Sequence, residues 1–248
     1  VNKTGTREWM PNSRNRCDGC EGDCRYCYAK FKAVRYKRRT EENWHEMRPL
    51  KVRQSTKKAE GGIMFPTTHD LHYKHRHCWF PFLKEMLENG NDVLIVTKPE
   101  YAAVSYICEN LEQYKNQMEF RFTIGTNDDK VAAYWEPGAP SPSDRLMAIA
   151  HVCTLGFRTS ISMEPLLIEQ PKEMIDNLFM GWITGDIWIG AMNHYDLNPA
   201  IPEEARQIKI QGRENMRRVY ESLKDNPQIR WKDSVQKLLG ISSMGVPL

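Results

Sequence analysis

Hydrophobic positions cluster in five short runs, at 61–66 (GGIMFP), 92–97 (DVLIVT), 118–124 (MEFRFTI), 157–163 (FRTSISM) and 186–192 (DIWIGAM). Apolar runs of this length suit strands buried on both faces of a sheet. Between them, residues 75–90, 99–113, 142–155 and 170–181 have helical character, and Gly90 and Gly156 stand where C-caps belong. A short strand just before Cys17 and a helix after Cys27 bring the pattern to six strand–helix units. Such alternation implies a parallel sheet with helical crossovers, an α/β fold. Residues 203–224 and 231–239 read as C-terminal helices, the first of them amphipathic and basic. The expected division is an α/β unit over 1–200 and a helical extension over 201–248 packed on it.

Composition changes this picture little. A chain of 248 residues, 40% hydrophobic, can bury a full core without a disulfide framework. No N-terminal charged-then-apolar segment and no apolar run of about eighteen residues is present, so neither export nor membrane spanning is expected. The seven cysteines then read as thiols in a reducing cytoplasm. Net charge is only +3, but residues 30–58 carry eleven Lys/Arg against three Glu, a local basic insert.

Four cysteines, Cys17, Cys20, Cys24 and Cys27, fall in the stretch RCDGCEGDCRYCYAK, residues 16–30. Four-thiolate zinc is one reading, but its two C-x2-C knuckles are normally about a dozen residues or more apart. Here three residues separate them. Cys20, Cys24 and Cys27 alone suit one loop gripping three corners of a cubane iron–sulfur cluster, with one iron left open for a small molecule.

Cys20-x3-Cys24-x2-Cys27, with the aromatic Tyr26 before the last cysteine, resembles the motif of radical S-adenosylmethionine (SAM) enzymes. The stretches MFPTTHDL (64–71), VLIVTKP (93–99), FRFTIGTND (120–128), WEPGAPSPSDRL (135–146) and SISMEPLL (160–167) are similar, in order and spacing, to the spore photoproduct lyase branch. The resemblance covers roughly residues 12–195. It implies a partial (β/α)6 barrel of the radical SAM type, with a cluster loop at 17–30, the basic insert at 30–58 and C-terminal helices. It also implies two cofactors, a 4Fe–4S cluster and SAM, which the cluster splits to a 5′-deoxyadenosyl radical, and a reductant such as a flavodoxin or ferredoxin.

Parallel α/β barrels carry their chemistry at the C-terminal strand ends. Lys98 follows an apolar strand, where it either opens the next helix or meets a partner; the resemblance places a matching lysine on the SAM carboxylate. It also places Tyr26, His69 and Thr123 at the cofactor; Glu164, at the end of its strand, is a candidate for the ribose hydroxyls or amino group of SAM, and Asn193 and His194, ending the sixth strand, for adenine or substrate unless they are a plain polar strand exit. Glu164 has a plainer alternative, an ion pair with Arg121 or Arg158. Tyr28 flanks Cys27 as a tyrosine does in that branch and is a catalytic candidate, and Cys17 is a weaker one, more simply read as a buried thiol. Where the lyase carries the cysteine that returns a hydrogen to its lesion, Thr67 stands here. His69, His72, His75 and His77 fit no zinc spacing. Cys78, Cys108 and Cys153 read as core residues.

The insert mixes Lys30, Lys32, Arg35, Lys37, Arg38 and Arg39 with Phe31, Tyr36 and Trp44, residue types that contact phosphates and stack on bases. A solvated charged face is the alternative. The expected function is modification or isomerisation of a nucleobase or its side chain in DNA or RNA. The alternatives are a radical SAM enzyme for a peptide or small metabolite, and a non-catalytic, metal-stabilised nucleic-acid-binding protein.

Overall fold

The computed structural model describes residues 5–179, 181–193, 199 and 202–242. The chain enters through strand β1 (Asn12–Ser13) and then β2 (Cys17–Asp18), helix α1 (Tyr28–Arg35) and β3 (Arg48–Pro49). The alternation begins with β4 (Ile63–Phe65), α2 (Arg76–Glu88), β5 (Val93–Thr97), α3 (Tyr101–Asn110) and β6 (Met118–Thr123). It continues with α4 (Asp129–Trp135), α5 (Pro142–Thr154), β7 (Arg158–Met163), α6 (Pro171–Met174) and β8 (Ile187–Ile189). The last elements are α7 (Pro202–Gln211), α8 (Arg213–Leu223), β9 (Ile229–Trp231) and α9 (Asp233–Leu239).

Among the described residues, seven strands form one sheet in the order β1-β4-β5-β6-β7-β8-β9, with every pairing parallel. The sheet curls with helices around it into a partial TIM barrel. Apolar residues sit in register across it, Ile95 beside Phe120, Phe122 beside Ile161, and Ile189 beside Trp231, so each strand covers the next one's apolar surface. The main core runs from Cys17 to Ile241, with Phe65, Phe120, Phe122 and Trp231 fully buried. Gly90 and Gly156 follow α2 and α5 with φ of +74° and +73°, the left-handed geometry that glycine adopts without strain.

Three differences from the sequence reading have local causes. The extension after residue 200 is more than helices: Ile229–Trp231 adds a seventh strand, too short to show a period of two. The single helix expected over 203–224 is two, because Gly212 is extended (φ −70°, ψ 152°) between α7 and α8. Helix α4 was not expected, although Asp128 caps it by accepting from the amides of Lys130 and Val131. No helix among the described residues is long and apolar enough to cross a membrane.

Candidate active site

The C-terminal ends of the central strands open on one cavity of about 500 Å³. Its wall includes Thr67 to Asp70 after β4, Thr97 and Lys98 at the end of β5, Thr123 closing β6, Ser162 and Glu164 at β7, and Ala191 to Asn193 after β8. The loop before α1 completes it with Cys20, Cys24, Tyr26, Cys27 and Tyr28. The three motif cysteines therefore share one chamber with the strand exits.

Burial pushes all three thiols up, that of Cys24 to about 12. The Asp70 amide donates to Cys20 Sγ (3.3 Å) and the Lys30 amide to Cys27 Sγ (3.4 Å), contacts that also suit metal-bound thiolates. Among the described residues, no three His, Cys, Asp or Glu side chains converge as a single metal ion requires. Cys20, Cys24 and Cys27 all line the cavity, so three thiolates from one loop are available there to hold a metal group. Cys17 corrects its expected catalytic role. Its Sγ lies 3.3 Å from Cys78 Sγ inside the main core, and the residue is not on the cavity wall.

Lys98 and Asp70 form a buried ion pair, Nζ to Oδ2 at 3.6 Å, both side chains 12% exposed. Burial pulls the ammonium down, but Asp70 and then Cys24 outweigh it and hold Lys98 well above its usual range. Burial likewise pushes Asp70 up, while Lys98, His72 and the hydroxyl of Thr97 hold it low. Asp70 also accepts from the Lys98 amide (2.7 Å) and from Thr97 Oγ1 (3.0 Å), joining the cluster loop to the exit of β5. Tyr26 donates its hydroxyl to Glu136, which pairs with Arg145 at 2.5 Å; Glu136 and Arg145 are 2% and 1% exposed. Arg145 Nη1 also donates to the carbonyl of Thr123 (3.3 Å), so this buried pair fixes two cavity residues.

At the other end, Glu164 Oε2 faces Lys232 Nζ at 3.6 Å, not Arg121 or Arg158, both of which pair with Glu119. Lys232 comes from the turn between β9 and α9, is fully buried, and also binds Glu8 (2.9 Å) and the carbonyl of Gly5 (2.7 Å). Asn193 Nδ2 lies 3.5 Å from Glu164 Oε1. His194 lies outside the described residues.

His69 lines the cavity, but both ring nitrogens are engaged. Nε2 accepts from the amides of Arg16 and Cys17 (3.2 Å each), and Nδ1–H donates to the carbonyl of Asp70 (3.0 Å). The ring thus holds the start of the cysteine loop while its face lines the cavity. Burial pulls its pKa down to about 4. The unfolded chain therefore binds the extra proton first, and stability contributed by the neutral ring is complete above about pH 6.5 and falls toward pH 4, by about 3 kcal/mol. Urea unfolding of the metal-free chain at pH 7 and pH 4.5 should show this loss, and His69→Gln, less stable at pH 7, should flatten it.

Tyr28 donates its hydroxyl to the carbonyl of Thr67, and burial pushes that hydroxyl up to about 12. The basic insert divides. Arg39 is buried, its Nε and Nη2 donating to the side chain and carbonyl of Asp18 at 2.8 Å each, so it is a brace and not a phosphate contact. Lys30 is held by Asp23 at 2.8 Å. Trp44, 1% exposed, is too buried to stack on a base, whereas Phe31 and Tyr36 are 51% and 68% exposed. Lys32, Arg35, Lys37 and Arg38 stay on the surface, with Lys32 at the cavity and Arg38 3.7 Å from Asp18. Asp70, Glu136, Arg145 and Lys232 were not anticipated.

No family profile matches the chain. A search of solved structures gives a serine variant of spore photoproduct lyase, with a TM-score of 0.56 and 16% identity, covering 93% of this chain and 78% of that one. The chain has the fold of spore photoproduct lyase. The lyase complexed with dinucleoside spore photoproduct aligns at a TM-score of 0.55 and 16% identity, over 87% of this chain and 74% of that one. Streptococcus suis SuiB bound to S-adenosylmethionine aligns at 0.52 and 12% identity, over 92% of this chain and 48% of that one. Among curated sequences, the uncharacterized protein ORF301 of Acidianus two-tailed virus is 24% identical over 165 residues, 60% of this chain. The chain spans about half the length (53%) of that relative.

Proposed function

We propose that this chain is a radical SAM enzyme that modifies or isomerises a nucleobase or its side chain in DNA or RNA. The observation that carries the reading is the shared chamber: three motif thiols face the polar strand exits of a radical SAM fold. Cys20, Cys24 and Cys27 would hold a 4Fe–4S cluster, which when bound supplies the electron that splits SAM to the 5′-deoxyadenosyl radical. Lys98, kept charged by Asp70, offers its ammonium to the SAM carboxylate. Glu164 and Asn193 offer an acceptor and a donor to the ribose and amino groups, and Thr123 supplies a hydroxyl. Tyr26, tied to Glu136, closes the wall beside Cys24 and excludes water.

The cavity's only thiols among the described residues are the three motif cysteines, with Thr67 on the wall where the lyase resemblance places a hydrogen-returning thiol. This favours rearrangement or modification over hydrogen return from a cysteine. Nucleic acid as the substrate is supported by the exposed Lys32, Arg35, Phe31 and Tyr36 on α1 and its C-cap, directly after the cluster loop, and by the lyase neighbour's dinucleoside ligand.

The test is binding of single-stranded and duplex oligonucleotides across a salt series, read by fluorescence anisotropy. Affinity should fall steeply with salt. Reversing Lys32 and Arg35 to Glu should lower affinity about tenfold or more and reduce the slope by about 0.7–0.9 per lost phosphate contact. Salt-independent binding, or none that the reversal alters, would point to a small or peptide substrate.

A further inference from the structure

The insert after α1 is built onto the cluster loop. Strand β3 pairs with β2, placing Cys17 opposite Pro49 and Asp18 opposite Arg48. Buried Arg39 spans the two segments, binding Asp18 and the carbonyl of Asn43. The seating is tight at Gly19, which has φ +87°, and a Cβ there would lie 2.6 Å from the Glu46 carbonyl and 2.7 Å from that of Trp44. Only glycine allows this approach. The Cys20 amide donates to the Trp44 carbonyl (3.0 Å), and the indole packs with Ala33 and with Cys20 and Ala29, which line the cavity with it.

Trp44 is 1% exposed, and its Nε1–H has no acceptor among the described residues. An indole N–H is a donor only, and such donors are normally paired when buried. Trp9 and Trp188 also have unpartnered indole nitrogens, but their rings lie against Arg121 and Lys232 at the other end of the site. Trp44 alone of the three packs on a motif cysteine.

We propose that residues 39–49 form a brace that holds the Trp44 N–H, unpaired within the protein, for an inorganic sulfide of the cluster, making the cluster easier to reduce. This rests on the cluster reading above. Reduction adds negative charge to the sulfurs, and the positive end of a fixed N–H dipole stabilises it in a water-poor site; hydrogen bonds to sulfur and burial are established controls of such potentials. The insert expected to serve nucleic acid would then also serve the cofactor.

The test is an EPR-monitored redox titration of the reconstituted protein and Trp44→Phe, with a second sample grown on 15N-indole tryptophan. At a fixed potential the ratio of reduced to oxidised cluster should fall about tenfold in W44F, equivalent to about 59 mV for a one-electron couple. The reduced wild-type cluster should show 15N hyperfine coupling that W44F lacks. An unchanged ratio, or a coupling that persists in W44F, would overturn the proposal. If W44F assembles no cluster, the wild-type label decides, coupling supporting the proposal and its absence refuting it. A wild-type chain that takes up no cluster fails the radical SAM reading itself.

Discussion

Alanine at Cys20, Cys24 or Cys27 is expected to abolish assembly of the iron–sulfur cluster, while Cys17→Ala retains it. The contrast follows from where the thiols point. The three motif cysteines line the cavity, whereas Cys17 meets Cys78 in the main core. After anaerobic reconstitution, each motif variant should lose the visible absorption and bound iron of the wild type and reduce SAM cleavage to background. Cys17→Ala should keep both and lose only about 1 kcal/mol of stability through packing. Loss of the cluster in Cys17→Ala, with retention in Cys24→Ala, would reverse the ligand assignment.

Removing Arg145 should be the most destabilising single change near the site. Glu136 and Arg145 are both almost wholly buried and pair at 2.5 Å, with Tyr26 and the Thr123 carbonyl as further partners. Arg145→Met leaves the carboxylate buried and uncompensated, a loss of about 3–5 kcal/mol. Replacing both residues, Glu136→Leu with Arg145→Met, should recover most of that loss, because two charges no longer need to be kept from water. Urea unfolding of the metal-free chain measures all three. A single replacement that costs no more than the double one would show that the pair contributes little.

What was readable in the sequence was local. The cysteine spacing, the five apolar runs and the polar residue after each run lie within a few positions of one another, and each run proved to contain a strand of the sheet. What was not readable acts across the chain. Asp70 meets Cys20 from 50 residues away, and Lys232 reaches Gly5 across 227. No periodicity encodes such pairs. His69 was singled out for its place beside the cavity, but the hydrogen bonds of its two ring nitrogens to the backbone of residues 16, 17 and 70 had no signal in the sequence. The basic insert misled in part for the same reason. Arg39 and Trp44 look like surface chemistry in a charged stretch, and the Asp18 and Gly19 contacts that bury them become visible only once the insert folds back on the loop.

Whether this chain carries out radical SAM chemistry is decided by SAM cleavage in the reconstituted protein. The chain is loaded with iron and sulfide under anaerobic conditions, reduced with dithionite and given SAM, and 5′-deoxyadenosine is measured. Deoxyadenosine is expected in the wild type, none in Cys24→Ala, and a higher yield with one member of a DNA and RNA panel. A wild-type chain that assembles a cluster under these conditions yet leaves SAM intact, with or without nucleic acid, would contradict the radical SAM reading.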